Sequence, residues 1–233
     1  MEIRDRELTI GAVVAELPEA AGVFSKYGID FCCGGHRSLS KVIEEQGLDQ
    51  ELILGELQEL REARKLNYQK AGFNQMSVSA LTDYIEDTHH SYLREALPEL
   101  AGLLVTILRV HGQNHRELFE VYKVYGTLKT ELEQHLMKEE NLLFPGMEAE
   151  AEDTETIQAL AREIIEEHEG AGELLQKLRE LTENYSIPSG VCDTFRRTYA
   201  MLEELEQDLH QHIHLENNIL LKEYDYRTKK QVS

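Results

Sequence analysis

Residues 131–144 read ELEQHLMKEENLLF, and residues 209–220 return to the same theme as LHQHIHLENNIL. In each, a histidine precedes a glutamate by four residues, His135 with Glu139 and His212 with Glu216. Four residues make one helical turn, about 6 Å of rise. The first pair lies on the stripe Leu128, Leu132, His135, Glu139, Leu142, and the second on Leu202, Leu205, Leu209, His212, Glu216, Ile219. Both glutamates therefore point into a core. A buried carboxylate is costly, or is forced to protonate, unless a cation sits beside it. No lysine or arginine occupies either stripe next to the pair. Imidazole nitrogen and carboxylate oxygen one turn apart suit a transition metal, and two such helices facing each other can hold two ions with bridging carboxylates.

The rest of the composition agrees with a helical, intracellular chain. Its 233 residues suffice for one sizeable core and a small second domain. A net charge of −20 argues against phosphate backbones and anionic membranes, so neither nucleic acid nor membrane is expected as a partner. No apolar run approaches the length of a membrane span, and the start MEIRDRELTI lacks the features of a signal peptide, so a cytoplasmic protein is expected. Three cysteines, two of them adjacent, cannot make a disulfide framework. Four prolines, no tryptophan and abundant Leu, Glu and Lys point to an all-α fold.

Capping signals divide the chain. Thr9 caps a short helix over Ile10 to Glu16, Pro18 starts a second that Gly28 ends, and the glycines of Asp30-Phe31-Cys32-Cys33-Gly34-Gly35-His36 make that stretch a loop. Ser38 or Ser40 caps a third helix ended by Gly47, and Asp49 begins a fourth that runs to about Leu66 with Leu52, Ile53, Leu57 and Leu60 on one face. Residues 1–66 thus form a small helical domain, 67–76 a linker, and 77–233 a larger domain. Ser77 caps a helix through His89 and His90 to Leu97, where Pro98 kinks it or starts its continuation. Gly112 marks a turn, and His115 to Phe144 form one long helix that Pro145 and Gly146 stop. Thr154 or Thr156 opens a helix to about Glu183, Ile187 to Gly190 turn, and the last helix runs from about Cys192 to Glu223, before a basic tail. Four long helices with short connections make an antiparallel bundle.

The histidines differ in weight. His168 lies on the stripe Ile157, Ala161, Ile164, His168, Ala171, Leu175, Leu178, and beside two His/Glu pairs it reads as a ligand rather than a satisfied core histidine. Periodicity leaves His89 and His90 open: Leu81, Ile85 and Tyr92 favour the first, Leu93, Leu97 and Leu100 the second. His111 lies 21 residues from His90, about 30 Å along a straight helix, which puts it at the far end of the bundle. His115, His210 and His214 flank helix faces and read as solvated. Glu131 and Glu167 can act as acids behind the ligands, against the ordinary alternative of a solvated face. Glu140 competes with Glu139, but four-residue spacing favours Glu139. Counting donors gives a near-symmetric site: His90, His135 and Glu139 for one metal, His168, His212 and Glu216 for the other. Mixed nitrogen and oxygen donors fit iron best, manganese second and zinc less well.

Neighbouring cysteines do not readily share one ion, and a disulfide between them closes a strained ring. The ordinary reading of Cys32 and Cys33 is two loop cysteines partly buried beside Phe31. The functional reading is a pair of accessible thiols that shuttle electrons, take iron or bridge to a partner, and the open backbone at Gly34 and Gly35 favours it. Cys192, at a helix start, reads as structural.

These residues together carry a resemblance. The stretch from about Ser77 to Glu223 resembles the hemerythrin-like domain, and Tyr27-Gly28-Ile29-Asp30-Phe31-Cys32-Cys33-Gly34-Gly35 resembles the N-terminal signature of the iron-sulfur cluster repair di-iron proteins, or RIC proteins. Leu97 to Leu100, His135 to Glu140, Glu167-His168 with Ala171 to Leu175, and His212 to Asn218 extend the likeness over nearly the whole chain. The resemblance implies a hemerythrin-like antiparallel four-helix bundle behind a small helical domain. It implies a non-haem di-iron centre of two iron ions, carboxylate-bridged and open to an oxo bridge, on His90, His135, Glu139, His168, His212 and Glu216, and so chooses His90 over His89. His111 also matches a recurrent histidine of the family, while Leu221-Lys222 stand where relatives often carry Phe-Pro. The implied function is stress-responsive repair of iron-sulfur clusters after oxidative or nitrosative damage by donating iron, with Cys32 and Cys33 as transfer thiols. The implied partners are damaged iron-sulfur proteins or scaffold proteins, nitric oxide and oxygen, and a second copy in a homodimer. Nitric oxide reduction at the di-iron site and a hemerythrin-type oxygen carrier or sensor are the alternative roles.

Overall fold

The computed structural model describes residues 8–66, 73–148 and 154–222. The start of the chain, residues 67–72 of the expected linker, and Glu223 with the basic tail lie outside the described residues. The chain forms two compact units, Met1–Leu81 with His210–Ser233, and Thr82–Leu209. No strand occurs among the described residues, which contain only an isolated bridge between Thr9 and Ser38. No helix among them is long and apolar enough to cross a membrane.

In the first unit, α1 (Ile10–Glu16) starts where the Thr9 hydroxyl accepts the Ala12 N–H at 3.3 Å. α2 (Ala20–Lys26) ends at Gly28, whose φ of +66° only a residue without Cβ adopts freely. α3 (Leu39–Glu45) follows Ser38, and α4 (Gln50–Leu66) follows Asp49, whose carboxylate accepts the N–H groups of Glu51 and Leu52. Ile10, Val14, Phe24, Ile29, Phe31, Val42, Ile53 and Leu57 build one core. Two expectations change. Leu52 is 52% exposed, so the buried face of α4 is Ile53 and Leu57 with Leu60 at its margin. The glycine-rich stretch is not an open loop: Cys33–His36 winds into a 3₁₀ turn.

The second unit is a four-helix bundle. Ser77 caps α5 (Val78–Ile85) through the Ala80 N–H, and the helix continues through a wider turn, Glu86–His90, into α6 (Ser91–His111), unbroken at Pro98. After the Gly112 turn comes α7 (Glu117–Lys138), then a second wide turn, Glu139–Leu143, leading into α8 (Phe144–Glu148). α9 (Thr154–Leu181) and α10 (Asp193–Leu215) complete the set; from His210 onward the chain belongs to the first unit, and there a third wide turn, Glu216–Leu220, follows α10. Leu97, Leu104, Tyr125, Leu132, Leu175, Phe195, Tyr199 and Leu205 share one core drawn from four helices. Short turns between long helices make successive ones antiparallel.

The wide turns are π turns, in which the N–H groups of Ser91, Phe144 and Leu221 bond to the carbonyls five residues back, of Glu86, Glu139 and Glu216. Each inserts one residue and shifts the buried register by one position. That resolves three details. Both His89 and His90 are buried, because the register of Leu81 and Ile85 points to one and that of Leu93 and Leu97 to the other. Leu142, expected inside, is 56% exposed, while Leu143 is buried at 1%. Pro145 and Gly146 do not stop the helix: the π turn widens the backbone immediately before Pro145, and α8 runs on through both residues.

Candidate metal centre

Glu139 opens the second π turn and has 0% exposure. Its Oε2 lies 3.4 Å from His90 Nε2 and 3.3 Å from His135 Nε2, and His135 Nε2 is 3.2 Å from His168 Nε2. His135, Glu139 and His168 each place a donor atom within 4.8 Å of the others, and His90 and Glu139 do the same. All four residues are at least 96% buried.

The far side of two rings explains their aim. His90 Nδ1 lies 2.8 Å from Glu140 Oε1, and His135 Nδ1 lies 2.8 Å from Glu167 Oε2. Carboxylates only accept, so both Nδ1 atoms carry the proton and both Nε2 atoms turn a lone pair toward Glu139. Glu140 is anchored in turn by Arg94, and Glu167 by Lys138, which also reaches Glu163 at 2.6 Å. The His135 N–H, and after it Lys138, hold the Glu167 carboxyl down to about 2 against the effect of burial. Phe144 stacks on His90 with centroids 5.8 Å apart and keeps that ring in place.

The His90 and His135 lone pairs face the Glu139 carboxylate at 3.3–3.4 Å and repel it unless a cation or a proton lies between them. The donor set therefore fits a metal ion, with the His90 and His135 imidazoles already in the ligating tautomer and carboxylates behind those two. In the first unit the second pair keeps its one-turn geometry: His212 Nε2 and Glu216 Oε1 are 2.9 Å apart and both residues are 1% exposed.

The other singled-out residues fall into place around these. Glu167 stands behind His135 as described, whereas Glu131 is exposed, on the solvated face of α7. Glu140, weighed as a rival to Glu139, instead positions His90. His89 bonds Asp208 through Nδ1 at 2.9 Å, inside the second unit. His111 is no part of the cluster: its Nε2 lies 3.2 Å from Cys192 Sγ and its ring meets Phe195 edge-on at 5.4 Å. Cys192 is exposed, and His111 pulls its thiol down to about 7. His115 and His210 are partly exposed. His214, expected in water, is 1% exposed, and burial holds its imidazole down to about 4. Its neighbours within the first unit are Asn218 and Phe31.

The thiols are unequal. Cys32 is 5% exposed and Cys33 partly exposed, so only one of the expected accessible pair reaches water. Their sulfurs are 3.8 Å apart, and Asp30, Cys32 and Cys33 bring three donors within 4.8 Å. The Cys33 sulfur beside it, then burial and the Asp30 carboxylate, push the Cys32 thiol up. Asp30 had no signal of its own in the sequence, nor did Glu140 as a partner of a histidine 50 residues away.

Two known families cover the chain. Residues 6–61 match ScdA_N, a domain of unknown function (DUF542), and residues 81–224 match the hemerythrin HHE cation binding domain. Among similar proteins, the iron-sulfur cluster repair protein ScdA of Staphylococcus haemolyticus is 30% identical over 94% of this chain and 98% of its own length. The iron-sulfur cluster repair protein YtfE of Edwardsiella ictaluri is 35% identical over 94% and 96%, and that of Escherichia coli 33% over 92% and 95%. The buried imidazole and carboxylate cluster, the thiol turn before it, and this end-to-end likeness place the chain in the hemerythrin HHE cation binding family, in the two-domain branch of the ScdA and YtfE proteins.

Proposed function

We propose that the chain repairs iron-sulfur clusters damaged by oxidative or nitrosative stress by delivering iron to them. The observation that carries the reading is Glu139, a fully buried carboxylate met by imidazoles whose opposite nitrogens are committed to Glu140 and Glu167. We assign His90, His135, Glu139, His168, His212 and Glu216 as the ligands of two iron ions, with Glu139 and Glu216 bridging. Support for joining the second pair to the first comes from the matched His/Glu spacing, the shared burial, and the π turn that each glutamate opens.

Ferrous iron is the cargo, and the protein's own groups govern its release. Histidine and carboxylate ligands hold iron less tenaciously than an all-thiolate set, which leaves the ions transferable. Glu140 and Glu167, both in reach of water, keep the rings behind the ligands oriented and basic. Cys33, the partly exposed thiol, is the group we assign to meet the client.

The test incubates the iron-loaded full chain with an apo iron-sulfur enzyme, beside free ferrous iron at equal concentration. Reactivation above the free-iron control, abolished by His135→Ala and Glu216→Ala, is expected. Equal reactivation by free iron overturns the reading.

A further inference from the structure

The segment His212-Ile213-His214-Leu215-Glu216-Asn217-Asn218 carries two pairs of residues at one-turn spacing, offset from each other by two residues. Two residues correspond to about 200° around a helix, so the pairs occupy opposite faces. His212 and Glu216 form one pair; His214 and Asn218 form the other, and its environment in the first unit is the thiol turn.

Asn218 is 9% exposed. Its Nδ2 donates to the Cys32 carbonyl at 3.2 Å and lies 3.4 Å from the Phe31 carbonyl and 3.3 Å from His214 Nδ1. The Phe31 ring rests edge-on against His214 and His210, with centroids 6.0 and 5.7 Å apart. Two glycines make room for the carboxamide. A Cβ on Gly35 would stand 2.5 Å from Asn218 Oδ1, and one on Gly11 2.3 Å from it, closer than carbon and oxygen approach. From the other side, Asp30 Oδ1 accepts the Cys32 N–H at 3.0 Å and lies 3.2 Å from its sulfur, while Oδ2 accepts the Gly34 N–H at 2.9 Å. The backbone of Phe31 and Cys32 is thus held between Asp30 and Asn218, and Cys33 is the residue left facing out.

We propose that Asn218 is a positioning residue for the thiol pair: seated against Gly11 and Gly35, its carboxamide holds the Phe31-Cys32 backbone so that Cys33 is presented and Cys32 withheld. Cys33 is then the thiol that first meets an external reactant, and Cys32 the one that follows once the turn opens. This rests on the reading of the thiol turn as the transfer element only for its purpose; the asymmetry itself is tested without iron transfer.

The full chain is treated with limiting iodoacetamide, each thiolate displacing iodide to give a thioether, and tandem mass spectrometry separates labelling at Cys32 from that at Cys33. Exposed Cys192 is the internal control. In the parent protein Cys33 reacts about tenfold or more faster than Cys32. Asn218→Asp keeps the volume but puts oxygens where N–H groups faced two carbonyls, and Gly35→Ala pushes the carboxamide off its seat. In both, the Cys33 to Cys32 ratio falls by about fivefold or more while Cys192 labelling and helical circular dichroism stay unchanged. If Asn218→Asp loses helical content, Gly35→Ala decides. Equal reactivity of the two thiols in the parent, or a ratio unmoved in the folded variants, overturns the proposal. A moved ratio in a protein that reactivates no client leaves Asn218 its positioning role and removes iron delivery instead.

Discussion

The bundle unit carries two histidine clusters, and they differ in what stands around the rings. At one, His90, His135 and His168 converge on buried Glu139, with Glu140 and Glu167 behind two of them. At the other, His111 faces exposed Cys192 and His115 bonds Glu117, beside the ring of Phe195. Both are aromatic, nitrogen-rich and packed. Among the described residues, the first has an acid in front of its imidazoles and acids behind two of them, and π turns interrupt the helices at the first and not at the second. Gathering histidines is not sufficient for a metal site. The carboxylate that needs a cation, and the outer acids that select the ring tautomer, make the difference.

The largest expected effect breaks the comparison outright. Glu139→Gln removes the negative charge at the convergence point, and iron affinity measured by chelator competition falls by about 100-fold or more, whereas His111→Ala leaves it unchanged. Equal losses in the two variants would show that both clusters bind. Next comes the register shift. Leu143→Ala lowers unfolding free energy by about 2–5 kcal/mol in denaturant titration, and Leu142→Ala by less than about 0.5 kcal/mol. The reverse order would mean a continuous α-helix through Glu139 and no π turn. Glu140→Ala and Glu167→Ala, read in the same competition assay, each cost about 10- to 100-fold in affinity while the iron stoichiometry at saturation stays intact. Full affinity in both would reduce the outer acids to surface charges.

The smallest effect lies at the other cluster. Because His111 stabilises the thiolate, Cys192 is half ionised at about pH 7, below the ordinary thiol value of 9.0. Its alkylation rate therefore climbs through about pH 7 and levels above it. His111→Ala moves that midpoint upward by about one unit, so labelling at neutral pH slows, with no change in iron content. A midpoint that stays put would assign the shift to the Thr194 and Phe195 backbone N–H groups instead.

Much of this was legible in the residues. Repeating stripes placed His135, His168, His212 and both glutamates inside, since a period of 3.6 encodes which face of a helix is buried. Capping residues Thr9, Asp49 and Ser77 marked helix starts, because each serves N–H groups within three residues of itself. The pair His89 and His90 was ambiguous for a physical reason: a π turn buries both, and no residue type announces such a turn.

What only the tertiary structure decided concerns partners far apart in the chain. Glu140 serves a histidine 50 residues before it, Glu167 one 32 residues before it, and Asn218 meets Cys32 across 186 residues. His214 looked solvated because its own helix offered no reason to bury it; Phe31, from the far end of the sequence, does so. The amino-acid order by itself determined the helices and the buried position of His135, Glu139, His168, His212 and Glu216, because those depend on neighbours one turn away. The pairing of each side chain with its outer acid or its seat depended on how helices pack, which local periodicity does not carry.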